Sequence, residues 1–485
     1  MPSQEYQRVL AYTGLLIFGI GVILFTPFLV LLLKPLTWDD AWPFLAPGGG
    51  SMLIGWGLWR ALRGADSQYL PTREAAVVMS IGWLLAMVIG GLPFLLGGQL
   101  RWLDSLYEAM SGWTGTGLTM FRRVEMVPPI YLLWRSIMEY LGSAGFAVMM
   151  LSALIGPEAI GLYQAEARSD HLVPSILDTT RLFMKMYGLY LVMGTILYRL
   201  VGMTFFDGLN HAMAALAAGG FSTHSESIGY FDRVSVELVT IFLMLLGSSN
   251  FAIHFSLYRT RSWQALRDSE IYALLVLLGI LIPLTYLGIS IPNGSVTYDS
   301  FPHTLRIATF QAISASTTTG FGTADLSKWG DLSLFALTLL MIAGGGTGGT
   351  GGGIKLSRLV ALSQAVVWAV RHRLFPESVV LRHAVYRQGK LKSISDKELL
   401  DVAVVVSLYV LTFLIGTTIF MLHGVPLAKA GLEFSSSLST VGLSAGITGP
   451  TMAPALKITQ IAGMWLGRLE FVAVIVALNK LLRDL

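Results

Sequence analysis

The sequence predicts an all-α integral membrane protein: four membrane–pore-loop–membrane pseudo-repeats around one pore, with two extra N-terminal transmembrane helices. Three observations carry this. First, 54% of the 485 residues are hydrophobic and 13% charged, where a soluble domain carries about 25% charged residues. A soluble fold of this composition would expose large apolar patches. Second, apolar runs of about 20 residues, long enough to cross the hydrocarbon core, recur along the chain. Third, four of the connections between them contain a short helix-like stretch that runs into small residues and glycine.

The first run, from about Val9 to Leu33, is too long for a signal h-region and lacks a small-residue cleavage site, so it reads as a first span. The expected spans are 10–33, 44–62, 73–96, 129–155, 180–202, 233–257, 270–291, 331–354, 400–422 and 456–479. They divide the chain into an N-terminal helix pair (1–70) and four repeats: 71–156, 157–262, 263–372 and 373–485. Ten spans put both termini on one side. With the termini in the cytoplasm, the inner connections hold 20 Lys and Arg and the outer ones 9, the asymmetry of the positive-inside rule. The net charge of +4 is too small to suggest nucleic acid as a partner, and lipid is the natural solvent. The chain has no cysteine, which excludes disulfides and thiolate metal sites.

Four outer connections carry the chemistry. Their short stretches are Leu103–Trp113, Phe205–Ala217, Leu305–Ala315 and Leu427–Leu438, none long enough to span. Each leads into a candidate ion-binding string. The first is Thr114, Gly115, Thr116 and Gly117; the second Leu216, Ala217, Ala218 and Gly219, followed by Gly220. The third is Thr317, Thr318, Thr319 and Gly320, followed by Phe321 and Gly322; the fourth is Ser439, Thr440, Val441 and Gly442. The glycines aligned by sequence are Gly117, Gly219, Gly320 and Gly442, 102, 101 and 122 residues apart. Non-helical backbone is tolerated at membrane depth only where protein buries it or water reaches it. Four such loops at equivalent places surround one axis, and their carbonyls can replace the hydration shell of a cation, potassium above all. Glycine supplies the positive φ this requires. Half-helices aiming their C-terminal ends at the cavity favour a cation there. A single loop reads equally well as an ordinary glycine turn; the fourfold recurrence favours the filter.

The stretch Gly344, Gly345, Gly346, Thr347, Gly348, Gly349, Thr350, Gly351, Gly352 and Gly353 interrupts an apolar span. It contains a formal G-x-G-x-x-G, but a membrane span precedes it and the next acid is Glu377, which excludes a dinucleotide fingerprint. Ile354 between glycine and Lys355 excludes a Walker A loop. A close helix-packing surface and a broken helix with a flexible loop below the filter remain open. Arg468 lies in the last span, about 12 residues from its inner end, too deep to snorkel; it is read as facing the pore, and Glu470 is assigned no transport role. Arg135 and Glu139, four apart on one helix face, are read as a structural pair, and Lys185 as a snorkelling anchor.

At these residues the chain resembles the TrkH/KtrB superfamily of potassium transport proteins, the TrkH branch in particular. The resemblance covers nearly the whole chain. It rests on Tyr107–Trp113, Leu133-Trp134-Arg135-Ser136, Ala165-Glu166, Phe206–His211, Gly219–Thr223, Thr317–Gly322 and Gly467-Arg468-Leu469-Glu470. It implies potassium as the transported ion, a homodimer with one pore per protomer, and the glycine-rich stretch as an intramembrane gate. It also implies a cytosolic partner, a ring of nucleotide-binding RCK subunits of TrkA type, with no nucleotide on this chain itself. Leu141–Gly145 stands where the family usually has Gly-Gly-Met-Gly, and Glu139 where glutamine is common. The first string is Thr-Gly-Thr-Gly rather than Thr-Thr-Thr-Gly. In the related plant HKT proteins a serine at the first filter glycine goes with sodium selectivity; Gly117 favours potassium.

The basic segment Arg371–Lys397 is either a positive-inside anchor or the docking site for that subunit. No span carries arginine at every third position, which excludes a voltage sensor. A membrane enzyme would need a motif such as H-E-x-x-H, and the eight histidines are scattered. A symporter coupling potassium to protons or sodium is the alternative to a channel-like pore.

Overall fold

The computed structural model describes residues 4–63, 70–145, 176–261, 263–291, 300–374 and 384–484. Helices dominate, and the strand pairing described is one hairpin, Ala384–Arg387 with Lys390–Ser393. Gln4–Ile23 and Trp38–Leu62 form the N-terminal pair. They cross closely because Gly14, Gly21, Gly48 and Gly55 leave no side chain between the backbones; a Cβ on Gly55 would run into Phe18. An Arg8–Glu74 ion pair at 2.8 Å ties this pair to the next helix, Thr72–Leu96.

Beyond it the order long helix, short helix, loop, second helix recurs. The long helices are Thr72–Leu96, Ile176–Leu200, Ser269–Ser290 and Asp396–Leu422. The short helices, one to four, are Trp102–Thr114, Phe205–Ala217, Phe301–Ser316 and Leu427–Leu438. Their starts are set locally: Thr204 accepts the amide of Asp207 as an N-cap, and Pro302 lies in the first turn of short helix three, where its missing N–H costs nothing. The second helices start at Pro129, Val234, Asp331 and Pro454.

Gln4–Leu32, Thr72–Leu96, Ser269–Ser290 and Asp396–Leu422 are long and apolar enough to cross a membrane. Leu275, Val276, Ile280, Leu411, Leu414 and Ile415 are exposed on two of them, as lipid-facing residues would be. Three second helices are shorter than the continuous runs suggest. Val234–Ser248 bends by 95° into Phe251–Arg259, and Pro454–Arg468 bends by 103° into Val472–Arg483. Only the break after Ala343 was visible as a glycine run. The other two arise where Asn250 caps a new helix by accepting the Ala252 amide at 2.8 Å, and where Glu470 and Phe471 adopt positive φ. The second half of the expected span 129–155 lies outside the described residues, as do Ala165, Glu166 and Arg382.

Buried apolar clusters close the repeats on one another. One joins Phe44, Trp83, Trp113, Trp134 and Tyr131 to Leu216, Leu243 and Phe321. Another joins Tyr107 and Met110 of repeat one to Phe420, Phe434 and Met464 of repeat four, so the last repeat packs against the first.

Candidate ion filter and gating loop

Every short helix ends in the same way. The amides of Thr116, Gly219, Thr319 and Val441 donate to the carbonyls of Ser111, Ala214, Ser314 and Ser436, at 2.8, 2.9, 2.9 and 2.8 Å. Each bond spans five residues around a left-handed residue: Gly115, Ala218, Thr318 or Thr440. This is the Schellman closure of a helix C-terminus. Two residues further on, Gly117, Gly220, Gly320 and Gly442 have φ of 84°, 81°, 82° and 107°.

This pattern moves the register of the second string by one residue. Gly220, not Gly219, is the counterpart of Gly117, Gly320 and Gly442. Leu216 belongs to the last turn of short helix two, level with Trp113, Ser316 and Leu438. Two adjacent glycines made the sequence alignment ambiguous, and only one of them needs positive φ.

The four loops lie edge to edge in a closed ring. A Cβ on Gly117 would collide with the carbonyl oxygen of Gly219, on Gly220 with that of Thr319, on Gly320 with that of Val441, and on Gly442 with that of Thr116. Thr114, Thr116, Thr317, Thr318, Thr319 and Ser439 are fully buried. Hydroxyl pairs brace two loops: Thr114 with Thr116 at 2.8 Å and Thr317 with Thr319 at 2.9 Å. The Ser439 hydroxyl meets that of Tyr409. Oxygen is therefore the donor atom that the ring offers, which suits a hard cation.

In repeats one, two and four the residue seven before the left-handed turn ties the outgoing chain to its helix. Glu108 accepts the Met120 amide at 2.7 Å and the Thr119 hydroxyl at 2.9 Å. Glu433 accepts the amides of Ala445 and Ile447 at 2.8 and 3.1 Å and the Ser444 hydroxyl at 2.7 Å. His211 reaches the Ser222 hydroxyl at 2.9 Å, and Gln311 occupies the fourth place. Arg135 pairs with Glu108 at 2.7 Å, not with Glu139 as the i,i+4 spacing suggested. Glu108 comes from another element, which no helical spacing rule sees. Between loops one and two, partial burial opposes ionisation of Glu125. Hydrogen bonds from the Ser225 amide and hydroxyl outweigh it and hold the carboxyl below its ordinary range.

The glycine-rich segment lies against the helix ends that carry the ring. The Thr350 hydroxyl donates to the carbonyls of Leu216 and Gly247 at 2.8 and 2.9 Å. The Gly352 amide donates to the Thr318 hydroxyl at 2.8 Å, and a Cβ there would strike the Ser439 carbonyl. The Thr347 amide donates to Glu270 at 2.8 Å. Gly344 to Gly353 thus touches repeats two, three and four at once. The Arg468 guanidinium donates to the carbonyls of Gly142 and Ser143, at 2.9 and 2.8 Å, and lies over the Trp83 ring. These acceptors belong to the second helix of repeat one, rather than to the glycine-rich loop. Glu470 is ion-paired with Arg358, on the helix that continues the loop. Sequence spacing gave no sign of that pair, because 112 residues separate the partners.

Spanning helices around a ring of glycine loops define a multi-pass membrane transport protein. The chain matches the TrkH family, described as cation transport protein, over residues 51–484. An uncharacterized cation transporter of Methanocaldococcus jannaschii is 31% identical over 438 residues, 89% of this chain and 87% of the relative. The Trk system potassium uptake protein TrkH of Halomonas elongata is 30% identical over 490 residues, 97% of this chain and 98% of the relative. The crystal structure of the potassium transporter TrkH from Vibrio parahaemolyticus is similar in fold, with a TM-score of 0.83 over 97% of this chain and 98% of that one, at 24% identity. The chain belongs to the TrkH family of cation transport proteins.

Proposed function

We propose that this chain takes up potassium across a bacterial inner membrane through a channel-like pore, with both termini in the cytoplasm. The observation that carries the reading is the closed ring of Gly117, Gly220, Gly320 and Gly442, each at positive φ and each against the next repeat's carbonyl. Positive φ at alternate residues turns successive carbonyls to one side, as a dehydrated potassium ion requires. Relatives over most of the chain's length bear the name potassium uptake protein.

The filter positions are Thr114–Gly117, Ala217–Gly220, Thr317–Gly320 and Ser439–Gly442, one string for each of the repeats 71–156, 157–262, 263–372 and 373–485. Gly344–Gly353 is the gate. Its bonds to Leu216, Gly247 and Thr318 hold it beneath the filter, and eight glycines in ten residues let it leave without side-chain obstruction. Control comes from a cytosolic nucleotide-binding RCK subunit of TrkA type acting on a homodimer. The force enters through the helix Leu356–Leu374, which continues the loop.

Purified protein in liposomes tests the function. A potassium current that reverses at the potassium Nernst potential, whatever the proton and sodium gradients, is expected. Reversal that moves with either of those gradients contradicts the reading and indicates coupled symport.

A further inference from the structure

Glu139 and Gly219 form a pair that the filter reading leaves unexplained. Both carboxylate oxygens of Glu139 accept the Phe221 amide, at 3.0 and 3.2 Å. Glu139 is fully buried and Phe221 1% exposed, so water does not compete for this amide. The carboxylate reaches it across Gly219: a Cβ there would stand 2.5 Å from the Glu139 carboxyl carbon. Gly219 does not need positive φ, unlike Gly220. Close approach of the carboxylate is the reason for glycine at this place.

The other repeats handle the equivalent place differently. Thr116 and Thr319 carry hydroxyls that bond back to Thr114 and Thr317. Repeat two has Ala217 and Gly219 there and lacks both hydroxyls. The helix that presents Glu139 also differs. Glu139 lies three residues before Gly142, whose Cβ would strike the Trp113 carbonyl. Gly247 and Gly467 stand in the same relation to the Leu216 and Leu438 carbonyls, and three residues before them are the buried methionines Met244 and Met464. At the helix position where these two repeats carry a buried methionine, repeat one carries a carboxyl, and the loop it reaches has glycine where the others have threonine or valine.

Resting on the filter reading above, we infer that Glu139 is a positioning residue for ion selectivity: it clamps the second filter loop from behind through the Phe221 amide. An unclamped loop loses its carbonyl alignment, because a buried N–H without an acceptor drives the backbone to rearrange.

The test measures potassium-over-sodium preference in proteoliposomes for Glu139→Gln, Glu139→Met and Gly320→Ala. Glu139→Gln keeps an acceptor oxygen and should retain the preference within about twofold. Glu139→Met supplies the residue found in the other repeats and no acceptor, and should lower the preference about tenfold at unchanged thermal stability. Retention by Glu139→Met, with loss in Gly320→Ala, overturns the clamp and leaves the filter standing. Retention in all three variants overturns the filter reading itself. Equal loss in Glu139→Gln and Glu139→Met overturns the clamp as well, since charge rather than the hydrogen bond would then matter. The unsubstituted protein gives an independent readout: slow hydrogen exchange at the Phe221 amide is expected, and fast exchange contradicts the clamp.

Discussion

The Thr350 hydroxyl donates to the carbonyl of Leu216 at 2.8 Å, joining the glycine-rich segment to the last turn of short helix two. The same hydroxyl serves Gly247 at 2.9 Å. One side chain therefore fixes the middle of a segment whose glycines cannot hold a helix, each costing about 1 kcal/mol relative to alanine.

Thr350→Val keeps the shape and removes both bonds. The Gly247 carbonyl keeps the residue's own backbone amide at 3.0 Å, so the loss falls on the Leu216 carbonyl, at about 1–3 kcal/mol, which weakens the seated position of the loop. Basal potassium flux without a partner should rise about tenfold, the effect of roughly 1.4 kcal/mol. Flux from potassium-loaded liposomes reads this directly, and an unchanged rate removes Thr350 from the gate.

Arg358 and Glu470 link the helix after the loop to the break in the last membrane helix. Breaking the pair from either side should uncouple partner from pore. Arg358→Gln and Glu470→Gln should each reduce the partner-stimulated component of flux, and the double variant should be no worse than either single one. Additive losses would mean that the two residues act separately.

Arg468 places a fixed positive charge among the helix ends under the ring and bonds the carbonyls of Gly142 and Ser143. Arg468→Ala should raise basal flux, since cations lose a repulsive neighbour. A fall in flux with the protein still folded would assign the residue to holding repeat one against repeat four.

The hairpin Ala384–Arg387 with Lys390–Ser393 is fastened to the base of Ser269–Ser290. The Gln388 amide donates to Asp268 at 2.8 Å, and the Gly389 amide to the Arg267 carbonyl at 3.0 Å. Arg387, Lys390 and Lys392 lie on this hairpin. Arg387→Glu should weaken co-purification of an RCK-type subunit and leave membrane insertion unchanged. Undiminished co-purification would leave the basic segment as a membrane-side anchor.

The membrane class and the helix order were legible because hydropathy and glycine recur at repeat spacing. The loops Thr114–Gly117 and Thr317–Gly320 were legible because their glycines and threonines are distinctive. Repeat two was misaligned by one residue, because Gly219 and Gly220 are glycine for different reasons: one admits the Glu139 carboxyl, and the other has positive φ. Arg135–Glu108 and Arg358–Glu470 have no signature in the sequence because they join elements distant along the chain, whereas helical spacing proposes partners only within a helix. The bends near Ser249 and Glu470 carry no proline or glycine run, so an unbroken span was the natural expectation.

If the four glycine loops form one potassium filter, the potassium-over-sodium permeability ratio of Gly320→Ala must differ from that of the unsubstituted protein. Gly320 has φ of 82°, and a Cβ there would collide with the Val441 carbonyl of the next loop. Loss of the potassium preference, or of flux, is expected in a variant that still assembles and elutes as the unsubstituted protein does. An unchanged ratio at unchanged flux would contradict it.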